Sequence, residues 1–357
     1  MRAWNFSAGP AAIPEEVLHR AQQELLEFGS QQASIMEISH RSKAYEAVAF
    51  SARDNFRKLL SVPSDYEILF LQGGATMQFA LLPLNFAQGR STEHIITGAW
   101  SKKAHAEASK LCRANILASS ADSNFTHIPD LENLSVADDA VYLHYADNET
   151  IHGVAFQRVP DLPLPKFVDM SSIILGKEID VSDYDLIYAG AQKNIGPAGL
   201  TVVIAKKELL ETCNAALPDI LNLQKHAVND SMLNTPPTFA WYLAGLVFEW
   251  LIGQGGVKAI EEVNNQKASL LYQFLDSSDF YFNPVQKECR SIMNIPFILA
   301  KPDLDQSFLE ASHKAGLLHL KGHRSVGGMR ASIYNATPLA AVHDLINFME
   351  SFEKENA

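Results

Sequence analysis

Short apolar segments alternate with longer amphipathic segments along most of this chain, and this alternation constrains its fold more than any other feature. The strand-like segments are YEILFLQ (Tyr66–Gln72), EHIITGAW (Glu93–Trp100), DAVYLHYA (139–146), KFVDMSS (166–172), DLIYAGAQ (185–192) and GLTVVIAKK (199–207). They are continuously apolar and are separated by helical segments, so they predict a mostly parallel sheet covered on both faces. We therefore expect an α/β fold.

A glycine-rich break at Gly253–Gly256 suggests a domain boundary near residues 253–265. The apolar segment before it, Trp241–Ile252, carries Glu249 and is too short to span a bilayer, so we interpret it as a core helix. A polar helix (Ile260–Leu275) and shorter strand-like segments follow the break. We expect residues 1–255 to form an N-terminal segment and a large α/β domain, and residues 256–357 to form a smaller α+β domain.

Composition excludes several classes of protein. The chain has 357 residues, of which 47% are hydrophobic and 20% are charged, as in folded globular proteins. A formal net charge of −12 argues against a nucleic-acid partner. The three cysteines, Cys112, Cys213 and Cys289, are widely separated and odd in number. This argues against a disulfide framework and a zinc site, and it favours a protein of a reducing compartment. The first residues, MRAWNFSAGP, lack the apolar core of a secretory signal, so we expect a cytoplasmic protein without membrane association.

The common sequence signatures of nucleotide, metal and hydrolase sites are absent. The chain contains no G-x-x-x-x-G-K-[ST], no G-x-G-x-x-G after a strand, no H-E-x-x-H and no G-x-S-x-G. The histidines do not fall into metal-ligand spacings. We therefore expect no metal, and any cofactor of the predicted sheet must be held in another way.

Lys193 lies in the segment LIYAGAQKNIGPAGL, directly after a predicted strand and among small residues. A lone lysine is usually a solvated surface charge, and this alternative stays open from the segment alone. Ligands of open α/β sheets bind at the carboxyl ends of the strands. The polar or small residues that follow predicted strands are Gly73, Gly74, Ala75, Thr76, Trp100, Asn148, Glu149, Thr150, Asp169, Gln192 and Lys193.

One ligand would account for this set: a flat ring that carries a phosphate, a basic ring nitrogen and an aldehyde. A lysine amine can form a Schiff base, a carboxylate can keep the ring nitrogen protonated, and an aromatic side chain can stack on the ring. Backbone N–H groups at a helix start can hold the phosphate. Each element alone has a simpler explanation: GGAT as a tight turn, Asp169 as a helix cap, Trp100 as core and Thr150 as a turn residue.

Basic residues cluster in two segments of this acidic chain. KGHRSVGGMR contains Lys321, His323, Arg324 and Arg330, and ISHRSK contains His40, Arg41 and Lys43. Arginine binds carboxylates and phosphates bidentately, so both clusters suggest receptors for an anionic substrate. Solvated charged loops remain the alternative, less so for the first cluster, whose glycines permit close approach of backbone to a ligand.

From NFSAGP through GGATMQF, HYADNETIHG, AGAQKNIGPAGL and NTPPTFAWYLAGLVF to KGHRSVGGMRASIYNA, the whole chain resembles the phosphoserine aminotransferase family. These are class V, fold-type I enzymes that use pyridoxal 5′-phosphate (PLP). The resemblance implies a seven-stranded type of mostly parallel sheet, a smaller C-terminal domain and a homodimer with shared active sites. The chain departs from the family pattern at Ala146, Ala155 and Ala340, none of which is expected to carry the chemistry.

The resemblance also implies a role for each candidate residue. Lys193 would attach the cofactor and move the proton between Cα and C4′, and Asp169 would pair with the ring nitrogen. Trp100 would stack on the ring and Thr150 would bind its hydroxyl. The phosphate would be held by Gly74, Ala75, Thr76 and Gln192, and by Asn234 and Thr235 of the other subunit. Arg330 would bind the substrate α-carboxylate, and the distal anion would be held by His40, Arg41, His323 and Arg324.

The implied reaction is amino transfer from L-glutamate to 3-phosphohydroxypyruvate, which yields O-phospho-L-serine and 2-oxoglutarate in serine biosynthesis. The family often also serves 4-phosphohydroxy-L-threonine in pyridoxine biosynthesis. Two alternatives remain: another class V PLP enzyme, of the serine–glyoxylate transaminase or desulfurase type, and a non-catalytic PLP-binding protein. The histidine–arginine clusters argue against the first, and the presence of Lys193, Asp169 and Arg330 argues against the second.

Overall fold

A seven-stranded sheet forms the centre of the computed structural model, which describes residues 2–356. The strands of the described residues are β1 (Trp4–Asn5), β2 (Tyr66–Gln72), β3 (Ser91–Ile96), β4 (Arg113–Ser119), β5 (Ala140–Ala146), β6 (Asn148–Glu149), β7 (Val154–Ala155), β8 (Lys166–Asp169), β9 (Leu186–Gly190), β10 (Leu200–Lys206), β11 (Tyr281–Phe282), β12 (Asn294–Leu299), β13 (Leu317–Leu318) and β14 (Met329–Ser332). The strands of the central sheet are ordered β2-β10-β9-β8-β5-β3-β4. Strand β10 is antiparallel to both of its neighbours, and the other pairs are parallel.

Helices cover both faces of this sheet. The helices of residues 2–356 are α1 (Glu15–Glu24), α2 (Lys43–Leu59), α3 (Ala75–Phe86), α4 (Ala99–Ala108), α5 (Lys207–Glu211), α6 (Leu223–Val228), α7 (Thr238–Gly253), α8 (Gly256–Ser277), α9 (Asp305–Lys314) and α10 (Leu339–Asn356). Because successive strand residues point to opposite faces, β9 contributes Ile187 and Ala189 to a core shared with α2 and α7. Its Leu186 and Tyr188 pack with α3 and α4 on the other face. The predicted α/β architecture is confirmed.

The predicted strand Glu93–Trp100 is too long at its C-terminal end. Strand β3 ends at Ile96, and Trp100 is the second residue of helix α4. The apolar composition of the segment did not reveal this boundary, because the helix start is stabilised by Glu149, a side chain far along the chain, together with the Ser101 hydroxyl, which accepts the Gly98 N–H at 3.2 Å.

A second hydrophobic cluster lies towards the C-terminus. It joins the sheet β11-β12-β14 to α9, α10 and the second half of α8. Helix α8 links the two cores, because Val257 and Ile260 belong to the first cluster and Leu271 and Leu275 to the second. The N-terminal segment also reaches the second cluster through Phe6, and β1 pairs with β13. The division at residue 255 stays a prediction.

Within residues 2–356, no single helix is long and apolar enough to cross a bilayer. Only the pair α7 and α8 passes such a test together, and the two helices are bent by 81° at their junction.

Candidate active site

A cavity of about 280 Å³ opens where β2, β5, β8 and β9 end, at the edge of the sheet that the sequence predicts for a ligand. Most of the predicted site residues line it: Gly74, Ala75, Thr76, Trp100, Thr150, Asp169, Gln192, Lys193, His323 and Arg330. The structure thus gathers residues from distant segments of the chain around one space.

Lys193 extends its amine into this cavity. Its Nζ donates a hydrogen bond to the Thr150 hydroxyl at 2.7 Å and lies 6.0 Å from the centre of the Trp100 ring. Burial lowers the pKa of Lys193 to about 8, although the carboxylates of Asp169 and Glu149 oppose the shift. Near neutral pH a usable fraction of this amine is therefore unprotonated and able to act as a nucleophile.

Asp169 ends strand β8 on the cavity wall and is 7% exposed. Its Oδ1 accepts a hydrogen bond from the Ser171 backbone N–H at 2.8 Å. Burial raises the pKa of Asp169, and Lys193, Ser171 and Tyr188 oppose that rise by stabilising the carboxylate. A carboxylate in this position is suited to bind a cationic group inside the cavity.

The residues predicted to bind a phosphate lie at the start of helix α3. Strand β2 leads through Gly73, with a φ of 97°, and Gly74 into the helix, whose first residues are Ala75 and Thr76. The first N–H groups of a helix have no partner within it, so they are available to an anion. Close packing supports this turn, because a Cβ on Gly190 would lie 2.7 Å from the Gln192 Oε1 and 3.4 Å from the Ala75 Cβ.

Trp100 is held by a residue whose role the sequence did not predict. Glu149 accepts hydrogen bonds from the N–H groups of Trp100 at 3.1 Å and Ser101 at 2.8 Å, and from the Ser101 hydroxyl at 2.6 Å. Glu149 is fully buried, and its carboxylate caps the start of α4. The Trp100 Nε1 is buried without a partner within residues 2–356, so the ring is held by its backbone rather than by its indole N–H.

Arg330 approaches the cavity from strand β14. One of its Nη1–H groups donates to the Thr150 carbonyl at 3.1 Å, while its buried Nε finds no partner within residues 2–356. Within residues 2–356, no Asp or Glu carboxylate lies within 4.0 Å of the Arg330 side-chain nitrogens. Burial lowers the pKa of Arg330, which nevertheless stays charged. A cation in this condition is suited to bind an anionic ligand.

Sequence reasoning missed several residues that surround this site. Ala8, Gly9, Phe79, Ile151, Ser171 and Ser172 also line the cavity, and so does Asn148, which the sequence placed at a strand end without a role. The Ala11 N–H donates to the Gln192 carbonyl at 2.8 Å, which fastens the N-terminal segment against the loop of Lys193. Asn148 bridges the Ser172 hydroxyl and the Asn294 side chain, at 2.7 and 2.8 Å. In the sequence, only two segments pointed to these contacts: NFSAGP, which contains Ala8 and Gly9, and NET, which begins with Asn148.

Five predicted residues do not line the cavity. They are His40, Arg41, Asn234, Thr235 and Arg324. Arg41 and His40 lie side by side at the surface, with their Nε and Nε2 atoms 3.4 Å apart. Asn234 bonds to Gln72 at 3.0 Å, and Thr235 is exposed. Arg324 is exposed as well, although its neighbour His323 reaches the cavity.

The chain is similar to known proteins over its whole length. A family model described as Aminotransferase class-V matches residues 3–345. The chain belongs to the class-V aminotransferase family. Among curated relatives of this class-V aminotransferase, the phosphoserine aminotransferase of Hahella chejuensis is 53% identical over 358 residues, covering 100% of this chain and 99% of that protein. The phosphoserine aminotransferase of Acinetobacter baumannii (strain ACICU) is 54% identical over 359 residues and is covered completely, as is this chain.

A solved structure shows the same fold. The phosphoserine aminotransferase from Bacillus circulans subsp. alkalophilus superposes with a TM-score of 0.97 at 44% identity, over 100% of this chain and 99% of that chain. The resemblance inferred from the motifs and the fold-type I architecture are thus confirmed for this class-V aminotransferase.

Proposed function

We propose that this class-V aminotransferase uses pyridoxal 5′-phosphate to transfer the amino group of L-glutamate to 3-phosphohydroxypyruvate, forming O-phospho-L-serine and 2-oxoglutarate. The observation that carries the proposal is the position of Lys193: a partly buried amine that faces an aromatic ring and has a carboxylate close by in one cavity. The full-length relatives named phosphoserine aminotransferase support the substrates. A PLP-bound relative from Trichomonas vaginalis, 39% identical with a TM-score of 0.94, supports the cofactor.

The cavity fits this cofactor. The free N–H groups at the start of α3 suit a phosphate, and the Trp100 ring suits the face of a pyridine ring. Thr150 and Gln192 add polar groups, and Asp169 adds a negative charge suited to a protonated ring nitrogen. When bound there, pyridoxal 5′-phosphate supplies an aldehyde that reacts with amines and a ring that accepts the electron pair of the broken Cα–H bond.

The residues of the chain provide the remaining steps. Lys193 would hold the cofactor through its amine, and the same amine would move the proton between the substrate Cα and C4′. Its lowered pKa suits both directions of this transfer, since general acid–base catalysis works best when the pKa lies near the working pH. Asp169 would keep the ring nitrogen protonated, and Trp100 would shield the ring from water.

Substrate recognition in this proposal depends on cations. Arg330, which lacks a carboxylate partner among residues 2–356, binds the α-carboxylate common to both amino acids. His323 lines the same cavity near Arg330 and starts the receptor for the distal anion, which is the phosphate of phosphoserine or the side-chain carboxylate of glutamate. His40, Arg41 and Arg324 complete that receptor.

We infer further that the enzyme is a homodimer with shared active sites. His40, Arg41, Asn234 and Thr235 do not line the cavity of their own chain, and we assign them to the active site of a second copy. Exposed apolar side chains near these segments, among them Met36, Met77 and Val228, suit such an interface. Use of 4-phosphohydroxy-L-threonine and the cytoplasmic location are additional proposals, which rest on the family resemblance and on the unpaired cysteines.

The test is a coupled assay of the purified protein, with O-phospho-L-serine as amino donor and a panel of 2-oxo acids. We expect 2-oxoglutarate to be preferred, and the cofactor absorbance band to change when glutamate is added alone. Borohydride reduction followed by tryptic mapping should place the pyridoxyl group on Lys193. An unchanged band with glutamate would favour the non-catalytic alternative, and attachment to another lysine would show that the role of Lys193 is assigned wrongly.

A further inference from the structure

Two buried residues behind the cavity, His144 and Tyr188, take no part in the function proposed above. Tyr188 on β9 is the register partner of Asp169 on β8, so their side chains leave the sheet on the same face. His144 on the next strand, β5, points to that face as well, because Ala146, two residues later, is the register partner of Asp169. His144 and Tyr188 are 3% and 0% exposed.

A hydrogen bond joins these two side chains. The His144 Nε2 lies 2.9 Å from the Tyr188 hydroxyl oxygen, and the rings are almost parallel, with an interplanar angle of 24°. The other ring nitrogen of His144, Nδ1, is buried and has no partner within residues 2–356. Phe79 contacts both rings edge-on and also lines the cavity, so it separates the pair from the cofactor space.

The unpartnered Nδ1 indicates which nitrogen of His144 carries the proton. Burial lowers the pKa of His144 to about 3, so the imidazole is neutral and has one N–H. A proton on Nδ1 would be a buried donor without an acceptor, which is rarer in proteins than an unsatisfied acceptor. A proton on Nε2 has the Tyr188 oxygen as its acceptor. The hydroxyl proton of Tyr188 is then free to point elsewhere.

Asp169, the register partner of Tyr188 on the same face of the sheet, is the candidate acceptor for that proton. Its Oδ1 receives the Ser171 N–H, and a carboxylate has capacity for further donors. We propose that His144 and Tyr188 form a directional hydrogen-bond chain in which the His144 Nε2–H donates to the Tyr188 oxygen and the Tyr188 O–H donates to the Asp169 carboxylate. The stabilising effect of the Tyr188 hydroxyl on the ionised form of Asp169, which keeps the pKa of that carboxyl from rising further, agrees with this direction.

This hydrogen-bond chain makes His144 and Tyr188 positioning residues, because neither side chain lines the cofactor cavity. Given the proposed function, they keep Asp169 ionised and aimed at the ring nitrogen despite its burial. Burial alone favours the neutral acid, which cannot hold the ring nitrogen protonated by charge. The supporting groups come from neighbouring strands of the sheet, which gives them a fixed geometry.

The direction of the chain is tested by nitrogen NMR on the full-length protein labelled with ¹⁵N-histidine, with and without pyridoxal 5′-phosphate. The His144 signals are assigned by their loss in His144→Gln. We expect the proton on Nε2 in both forms. A proton on Nδ1 would overturn the proposal, whatever the enzyme catalyses.

The effect on Asp169 is tested with Tyr188→Phe and a matched control, Tyr142→Phe. Tyr142 is a buried tyrosine of the same hydrophobic cluster, 1% exposed, which stacks on Phe167. We expect the carboxyl ¹³C titration of Asp169, followed in the cofactor-free protein, to move to higher pH in Tyr188→Phe and to stay in place in Tyr142→Phe. Equal titration curves for Tyr188→Phe and wild type would overturn the chain.

Two substitutions at His144 separate the effect of the lost hydrogen-bond donor from the effect of altered side-chain packing. His144→Gln retains an N–H donor near Nε2, whereas His144→Leu does not. We expect His144→Leu to shift the Asp169 titration upward and to slow removal of the Cα proton in single turnovers, and His144→Gln to restore part of both. Identical behaviour of the two variants would contradict the chain. Because the titrations require no turnover, an inactive wild type would refute the proposed function and leave this result unaffected.

Discussion

The Glu149 carboxylate fixes the position of Trp100 by binding the backbone at the start of the tryptophan's helix. Its Oε2 accepts the Trp100 N–H at 3.1 Å, and its Oε1 accepts the Ser101 N–H at 2.8 Å. The fit is close, because a Cβ on Gly98 would lie 2.3 Å from the Glu149 carboxyl carbon. Glu149 therefore determines where the indole ring stands in the cavity.

Replacing Glu149 by Gln should destabilise the protein and weaken cofactor binding. The amide turns one acceptor into a donor that faces an N–H group, and a buried unsatisfied donor costs about 1–3 kcal/mol. If about 1.4 kcal/mol of this cost appears as weaker binding of the cofactor ring, the PLP affinity falls roughly tenfold. The measurements are the free energy of unfolding and the PLP dissociation constant.

The matched control for this change is Glu37→Gln. Glu37 also accepts a backbone hydrogen bond, from Ser34 at 3.0 Å, but it is exposed and does not line the cavity. We expect Glu37→Gln to leave PLP binding unchanged. Equal PLP dissociation constants in Glu149→Gln and wild type would show that Trp100 does not depend on this cap.

These contacts show how much of the site could be read from the sequence. Lys193 and Asp169 were found because Asp169 ends β8 and Lys193 lies shortly after the end of β9, and the carboxyl ends of parallel strands meet at one edge. The pairing of Glu149 with Trp100 joins segments separated by 49 positions, and no local spacing encodes it. The position of Trp100 within a helix was missed for the same reason.

The stability of the cofactor-free protein should depend on the charge of Lys193. The pKa of this group falls from 10.5 to about 8 on folding, because the charged amine loses solvent. For a lysine whose pKa is lower in the folded state, burying the charged amine costs nothing above the unfolded pKa. The stability is lost progressively as the pH falls from the unfolded pKa to the folded pKa. Below pH 8 the folded protein therefore bears a cost of up to about 3 kcal/mol for this lysine.

Lys193→Met should therefore be more stable than wild type at pH 7 without cofactor, and the difference should shrink between pH 8 and 10.5. Urea unfolding at several pH values measures it. Lys314→Met, which changes an exposed lysine at the end of α9, should show no such pH dependence. A constant difference across this pH range would mean that the amine is solvated in the folded chain.

Mixing two inactive variants should restore activity if the active sites are shared. Lys193→Ala lacks the amine of its own site, and Arg41→Ala lacks a residue that we assign to the site of the partner. In a mixed dimer, one site would have both defects and the other neither. Random exchange of equal amounts should thus recover about a quarter of wild-type activity, since half of the dimers are mixed.

The control mixture is Lys193→Ala with Arg330→Ala, two residues that line one cavity of the same chain. Each mixed dimer then has one defect in each site, so no activity should return. Recovery in the control, or none in the test mixture after subunit exchange has been verified, would contradict the shared-site arrangement.

Arg330 and Arg324 should differ in which substrates they affect. Every amino acid substrate carries the α-carboxylate that we assign to Arg330, so Arg330→Ala should lower kcat/KM for phosphoserine, glutamate and serine alike. Arg324→Ala should lower kcat/KM for phosphoserine and glutamate, which carry a distal anion, but not for serine, and should change PLP affinity little, because the cofactor phosphate is assigned to the start of α3. Hydrogen bonds to charged groups contribute about 1.5–3 kcal/mol each, so wild type should prefer phosphoserine over serine by at least ~10³-fold in kcat/KM. The measurement is kcat/KM for the three substrates in wild type and both variants. Comparable use of serine and phosphoserine by wild type would show that the histidines and arginines of the two basic segments do not form a phosphate receptor.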